Sequence, residues 1–205
     1  AAVALGLWRR ERTGESAFVV LPQREAICNL VAEYVLAEAL RHPLPVRIGS
    51  KHPEWAPHNV YPAAPTEPRP ARLLGIEYTE AWLTIAVDSD AAWEALKRVV
   101  GDPRLYDARY DTQAPRHACQ DAIDAVIAEW SAARDANVSA AVLQAAGVAA
   151  SPVLTPLLVT RDEHLLARCM FLPYWHPALG DGFTARPAWR FQRRPADVVR
   201  PAPCF

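Results

Sequence analysis

Apolar positions in this chain follow a helical period in some stretches and short extended runs in others, and prolines cut the pattern into blocks. Residues 1–8 read as helix interior. Arg9, Arg10 and Arg12 suit the negative end of a helix dipole, and Gly14 suits the position just past the helix. No Ser, Thr, Asp or Asn cap precedes Ala1, so the expectation is a chain that starts partway through a helix. Residues 16–20 predict a short buried strand. Ile27, Leu30, Val31, Tyr34 and Val35 then repeat at helical spacing and predict one long helix over 21–42, stopped by Pro43. A proline-punctuated stretch, 43–70, follows, and a structureless connection of that length is usually functional or a linker.

The middle of the chain carries clearer signals. Residues 81–87 predict a strand. Asp88, Ser89 and Asp90 offer N-caps for a helix that ends at Val100, before Gly101 and Pro103. Residues 115–130 predict a helix with Ala118, Ala122, Ile123, Val126, Ile127 and Trp130 along one side. Another helix is expected over 136–146, with Gly147 beyond its end. Short elements follow: a strand at 151–154, a helix at 162–168, a strand at 169–175 and a turn at Gly180-Asp181-Gly182. His176-Pro177 is expected to turn the chain between two strands. The end, 194–205, is proline-spaced with no closing element, so that end too is expected to be cut. Residues 75–155 form a compact α+β unit in this reading.

Composition narrows the function classes. With 22 Lys+Arg against 23 Asp+Glu the net charge is −1, and no basic stripe stands out to meet nucleic acid. No apolar run is long enough for a membrane span, and Arg9 and Arg10 end the first one early. The four cysteines, at 28, 119, 169 and 204, form no close pair; Cys28 and Cys119 are expected as buried, reduced thiols. With no secretory signal visible, the expected compartment is the cytoplasm.

Self-contained catalytic motifs are missing: no GxSxG, HExxH, P-loop or full GxGxxG occurs. His52 and His58 share the proline-rich stretch with Lys51 and Asn59, but only Glu54 is near as a further metal ligand, so no metal is expected. Two readings of this stretch stand side by side. Lys51, Arg47 and main-chain amides near Gly49 could meet an anionic ligand, or the segment could simply cross the surface. His164 reads as a helix-end surface residue. Trp82, Trp93 and Trp130 read as core, and Trp189 as able to cover a sheet edge. Asp88, Asp90, Asp102, Asp121 and Asp135 fall at predicted helix ends, where capping explains them.

A series of phrases, in order, carries a resemblance. They are Arg10-Glu11-Arg12-Thr13-Gly14; Gly49-Ser50-Lys51-His52-Pro53 with Ala56-Pro57-His58-Asn59-Val60-Tyr61-Pro62; and Trp82-Leu83-Thr84-Ile85-Ala86-Val87 with Trp93-Glu94-Ala95-Leu96. Then come Gly101-Asp102-Pro103-Arg104, Ala145-Ala146-Gly147-Val148, His176-Pro177-Ala178-Leu179-Gly180, Pro187-Ala188-Trp189-Arg190-Phe191 and Ala202-Pro203. In this order the sequence resembles the class III CoA-transferases, the CaiB/BaiF family; residues 64–80 depart from it by their length.

The resemblance implies an incomplete α/β fold, a small α+β domain with parts of a Rossmann-like large domain. It implies that 1–43 belong to the large domain, 44–70 to a linker and active-site loop, 71–155 to the small domain, and 156–205 to a return segment. It also implies an interlocked homodimer at full length, with a CoA thioester and a carboxylic acid as substrates and no further cofactor. The reaction would be CoA transfer through an aspartate-linked intermediate. That Asp has no counterpart in these residues, so no catalytic residue is carried over and the chain alone is expected to be inactive. Lys51, His52 and His58 would line the acyl end of the substrate. A racemase or isomerase of the same family, or a non-catalytic subunit that completes a partner chain, are the alternatives.

Overall fold

In a computed structural model the described residues are 2–42, 44, 47–65, 72–73, 76–77, 80–187, 189 and 202–203. The chain divides into two compact units, Ala1–Gly49 and Ser50–Phe205.

The first unit is helical. It holds α1 (Ala2–Thr13), α2 (Gln23–Leu30) and α3 (Ala32–Ala39). Arg10 and Arg12 do lie in the last turn of α1, and Gly14 takes φ 73°, the left-handed conformation that glycine adopts most easily. The expected single helix over 21–42 is two helices. Val31, at φ −115° and ψ 33°, closes α2 and opens α3, its N–H donating to the Ile27 carbonyl and its own carbonyl accepting from Tyr34 and Val35. The strand expected at 16–20 does not form. Among the described residues no second strand meets its backbone groups, and Phe18 is 94% exposed. The expected burial of Cys28 fails for a related reason: no described residue of this unit is buried.

The second unit has a core. Its main sheet is antiparallel, in the order β1 (His58–Ala63), β4 (Ala81–Ala86), β5 (Ala149–Pro152). The two-residue strands β2 (Arg72–Leu73) and β3 (Ile76–Glu77) pair separately. β1 lies inside the stretch expected to be structureless. It is an edge strand, which is where Pro62, lacking an N–H, is tolerated in a sheet.

Helices cover one face of this sheet: α4 (Asp90–Val100), α6 (Gln120–Ala132) and α7 (Ala136–Ala145). The Ser89 hydroxyl accepts from the Ala92 N–H to start α4, and Gly101 at φ 68° ends it. Asp135 accepts from the N–H groups of Asn137 and Val138 at the start of α7, and Gly147 at φ 87° follows its end. The sequence pointed to Gly101, Asp135 and Gly147, and to Ser89 as one of three candidate caps.

Leu83, Ile85 and Val87 pack against Trp93 and Leu96 of α4, Ile123 and Ile127 of α6, and Leu143 of α7. The apolar side expected for 115–130 is rotated at its start. Ala118 and Ala122 are exposed, while Arg116 and Gln120 are buried. The helix itself is interrupted at Cys119, between α5 (Gln113–Ala118) and α6.

Beyond the sheet lie α8 (Pro156–Val159), α9 (Glu163–Ala167) and a hairpin of β6 (Phe171–His176) and β7 (Gly180–Ala185). The turn sits at 177–179, so Gly180 to Gly182 are strand and not the turn expected of them. His176 holds that turn, its Nδ1 accepting from the N–H groups of Ala178 and Leu179. His164 is exposed, as expected, and Trp189 is 64% exposed. Most of 194–205 lies outside the described residues. Among those described, no helix is long and apolar enough to cross a membrane, and no cluster of His, Cys, Asp or Glu could hold a metal ion.

Candidate functional site

The segment from Ser50 to Pro57 contributes no strand, so its carbonyls need other partners. The α5–α6 helices supply them. Gln113 Nε2 donates to the Glu54 carbonyl at 2.6 Å, and Arg116 Nε to Ala56 at 2.8 Å. His117 Nε2 donates to His52 at 3.0 Å, and Gln120 Nε2 to His58 at 3.2 Å. The donors stand at i, i+3, i+4 and i+7, one face of a helical path. The acceptors are the carbonyls of residues 52, 54, 56 and 58, brought to that face by a bent segment with a cis Ala56-Pro57 peptide. The helix side chains here satisfy carbonyls that no strand meets.

Arg116 anchors this arrangement. It is fully buried, and it also donates to the Tyr110 carbonyl, to Asp90 Oδ1 at 2.9 Å and to Gln113 Oε1. Its guanidinium lies 5.2 Å from the Trp93 ring centroid. Asp124 extends the same helix face by one more turn. Its carboxylate accepts from Asn59 Nδ2 at 2.8 Å, Tyr61 Oη at 2.6 Å and Gln120 Nε2 at 3.2 Å. Burial, reinforced by the Asp124 charge and hydrogen bond, pushes the Tyr61 phenol far above its usual range.

The loop thus held brings Lys51, His52 and His58 together with Trp55. Lys51 is bonded to Asp121, and chiefly that hydrogen bond raises the pKa of its ammonium. The lysine expected to meet an anion therefore already has one. His52 stacks on Trp55, ring centroids 4.2 Å apart and 17° from parallel, and stands 5.5 Å from His58. The neighbouring backbone fixes both rings. His52 Nδ1 accepts from the N–H groups of Glu54 and Trp55, whereas His58 Nδ1 donates to the Ser50 carbonyl at 2.7 Å.

Of the aspartates expected to cap helices, Asp102 and Asp135 do so. Asp102 accepts from the Arg104 backbone and guanidinium, which lowers its carboxyl to about 2. Asp90 and Asp121 instead pair with Arg116 and Lys51. Sequence reasoning missed Arg116, His117, Gln120 and Asp124. Their signal was available as a polar stripe of helical period beside the apolar one.

Comparison with known proteins gives the context. The profile of CoA-transferase family III matches residues 1–205. A probable CoA-transferase of Mycobacterium tuberculosis is 32% identical over 96% of this chain and 23% of its own length. The succinyl-CoA–D-citramalate CoA-transferase of Chloroflexus aurantiacus is 26% identical over 86% of this chain and 41% of its own length. Among solved structures, a CaiB/BaiF family protein of Brucella suis superposes with a TM-score of 0.79 at 22% identity, covering 100% of this chain and 49% of that one. The chain therefore spans less than half the length of these relatives, and its fold is that of the corresponding part of a CaiB/BaiF protein.

Proposed function

The chain belongs to CoA-transferase family III, and from that premise we propose that it is part of an enzyme moving CoA between a thioester and a carboxylic acid. A carboxylate nucleophile outside these residues attacks the acyl-CoA carbonyl, giving a mixed anhydride and free CoA thiolate. The thiolate attacks the enzyme-side carbonyl, releases the acyl group as a carboxylate and leaves an enzyme–CoA thioester. The acceptor carboxylate repeats both steps in reverse order, which regenerates the nucleophile.

The role of these residues is to present a rigid surface at the acyl end of the substrate, carried by Lys51, His52 and His58. The observation that supports this is the anchoring of their loop, four carbonyls held by four helix donors. Such preorganisation lowers the ordering cost of binding. Relatives named as succinyl-CoA:mesaconate and acetyl-CoA:oxalate CoA-transferases favour short mono- and dicarboxylates as donors and acceptors. CoA arrives as substrate, no other cofactor is required, and the full-length enzyme works in the cytoplasm as an interlocked homodimer.

Transfer from succinyl-CoA or acetyl-CoA to mesaconate, citramalate or oxalate, followed by chromatography of the CoA esters, tests this. The 205-residue chain alone should give no product, and the protein of the whole reading frame should give one. Turnover by the chain alone, or α-proton exchange without transfer by the whole protein, would count against the proposal.

A further inference from the structure

The chain has two lysines, and their settings are opposite. Lys97 is buried. It pairs with Glu94 at 2.6 Å and lies over the rings of Trp93 and Tyr106, so packing accounts for it. Lys51 stands near the start of the loop with its side chain 37% exposed. It pairs with Asp121, which is 89% exposed in the first turn of α6. Asp124, one turn further along that helix, also attracts Lys51, but its carboxylate already accepts from Asn59, Tyr61 and Gln120. Asp121 is the neighbouring carboxylate left to hold the ammonium.

Magnitude decides what this pair can do. An exposed ion pair between two mobile side chains contributes little to stability. The loop does not depend on it, since four bonds to its carbonyls, one from the fully buried Arg116, hold it without Lys51. An ammonium has three N–H donors, and the bond to Asp121 uses one. A carboxylate brought by a ligand can therefore reach Lys51 beside Asp121 or in its place, but it meets a cation whose charge Asp121 already cancels in part. In the proposed reaction one substrate carboxylate is spent at the nucleophile outside these residues. The group left to meet Lys51 is a second carboxylate on the acyl chain.

We infer that Asp121 is a specificity-determining residue of the acyl site, a built-in competitor that weakens the hold of Lys51 on the second carboxylate of a dicarboxylic substrate. This rests on the transferase reading and on the placing of Lys51 at the acyl end. A carboxylate at position 121 moves the enzyme towards acyl groups without a second charge, and an uncharged side chain there moves it towards dicarboxylates.

The whole protein, with acetyl-CoA as donor, tests this on succinate and butyrate, which differ by a carboxylate in place of a methyl group. The readout is the ratio of kcat/KM for the two acids. Asp121→Asn should raise the ratio in favour of succinate about two- to fivefold, the range an exposed ion pair supports, with the change carried by KM for succinate. Lys51→Met should lower the ratio, and Asp121→Asn added to it should leave the ratio where Lys51→Met put it. A merely structural role for Asp121 would act on both acids alike. An unchanged or lower ratio in Asp121→Asn, or the same rise without Lys51, overturns the inference alone. If Lys51→Met leaves the ratio unmoved, the placing of Lys51 at the acyl end falls with it. If the whole protein transfers no CoA, the transferase reading itself fails.

Discussion

The two compact units share a vocabulary of helices and differ in what those helices meet. In Ala1–Gly49, Leu30, Leu36 and Leu40 are 79%, 59% and 61% exposed, and none of the described residues is buried. In Ser50–Phe205, Trp93, Leu96, Ile123, Ile127 and Leu143 are each 0% exposed. Hydrophobic period alone therefore does not make a core. Periodicity says which side of a helix is apolar, and burial depends on a second surface being there to receive it. The second unit has that surface in its antiparallel sheet. Its folding free energy should accordingly be concentrated in that core, with little contributed by apolar side chains of the first unit.

Four substitutions or conditions would break or sharpen this contrast. The largest effect is expected for Trp93→Ala. This empties the centre of the core and should cost about 3–5 kcal/mol in urea unfolding of the second unit. Arg116→Met keeps the volume but leaves the Ala56 and Tyr110 carbonyls without their donor, at a cost of about 2 kcal/mol. Limited proteolysis should then cut first within 50–57, with the sheet core still protected. A third effect is set by pH. Tyr61 holds its proton more tightly folded than unfolded, so its contribution is present below its unfolded pKa of about 10 and is lost as pH rises above that value. Asp124→Asn, by removing the charge beside the phenol, should bring Tyr61 ionisation to lower pH in ultraviolet titration. The smallest effect belongs to the first unit, where Leu30→Ala should change stability by less than about 0.5 kcal/mol.

Features with local causes were legible in the sequence. Ser89, Gly101, Asp135 and Gly147 act through hydrogen bonds and φ angles within a few residues of themselves, and the sequence pointed to each, to Ser89 as one of three candidate caps. His176-Pro177 was likewise legible as a turn, because the imidazole bonds to N–H groups two and three residues on. Features made by distant partners were not legible. β1 contains Pro62 and follows a run of prolines, and it becomes a strand only through pairing with β4 more than twenty residues later. The split at Val31 carries no Gly or Pro to announce it. The site divides the same way. Lys51, His52 and His58 could be named from the sequence, but the helix face that holds them lies some sixty residues away, and Lys51 could not be seen to be spoken for by Asp121.

The four helix-to-carbonyl bonds also limit how this region can change length. The helix donors reach carbonyls 52, 54, 56 and 58. An insertion or deletion within 52–58 would carry carbonyls away from their donors, stranding buried ones such as Arg116. Homologous chains should therefore vary freely in length over 64–80, while this segment stays constant.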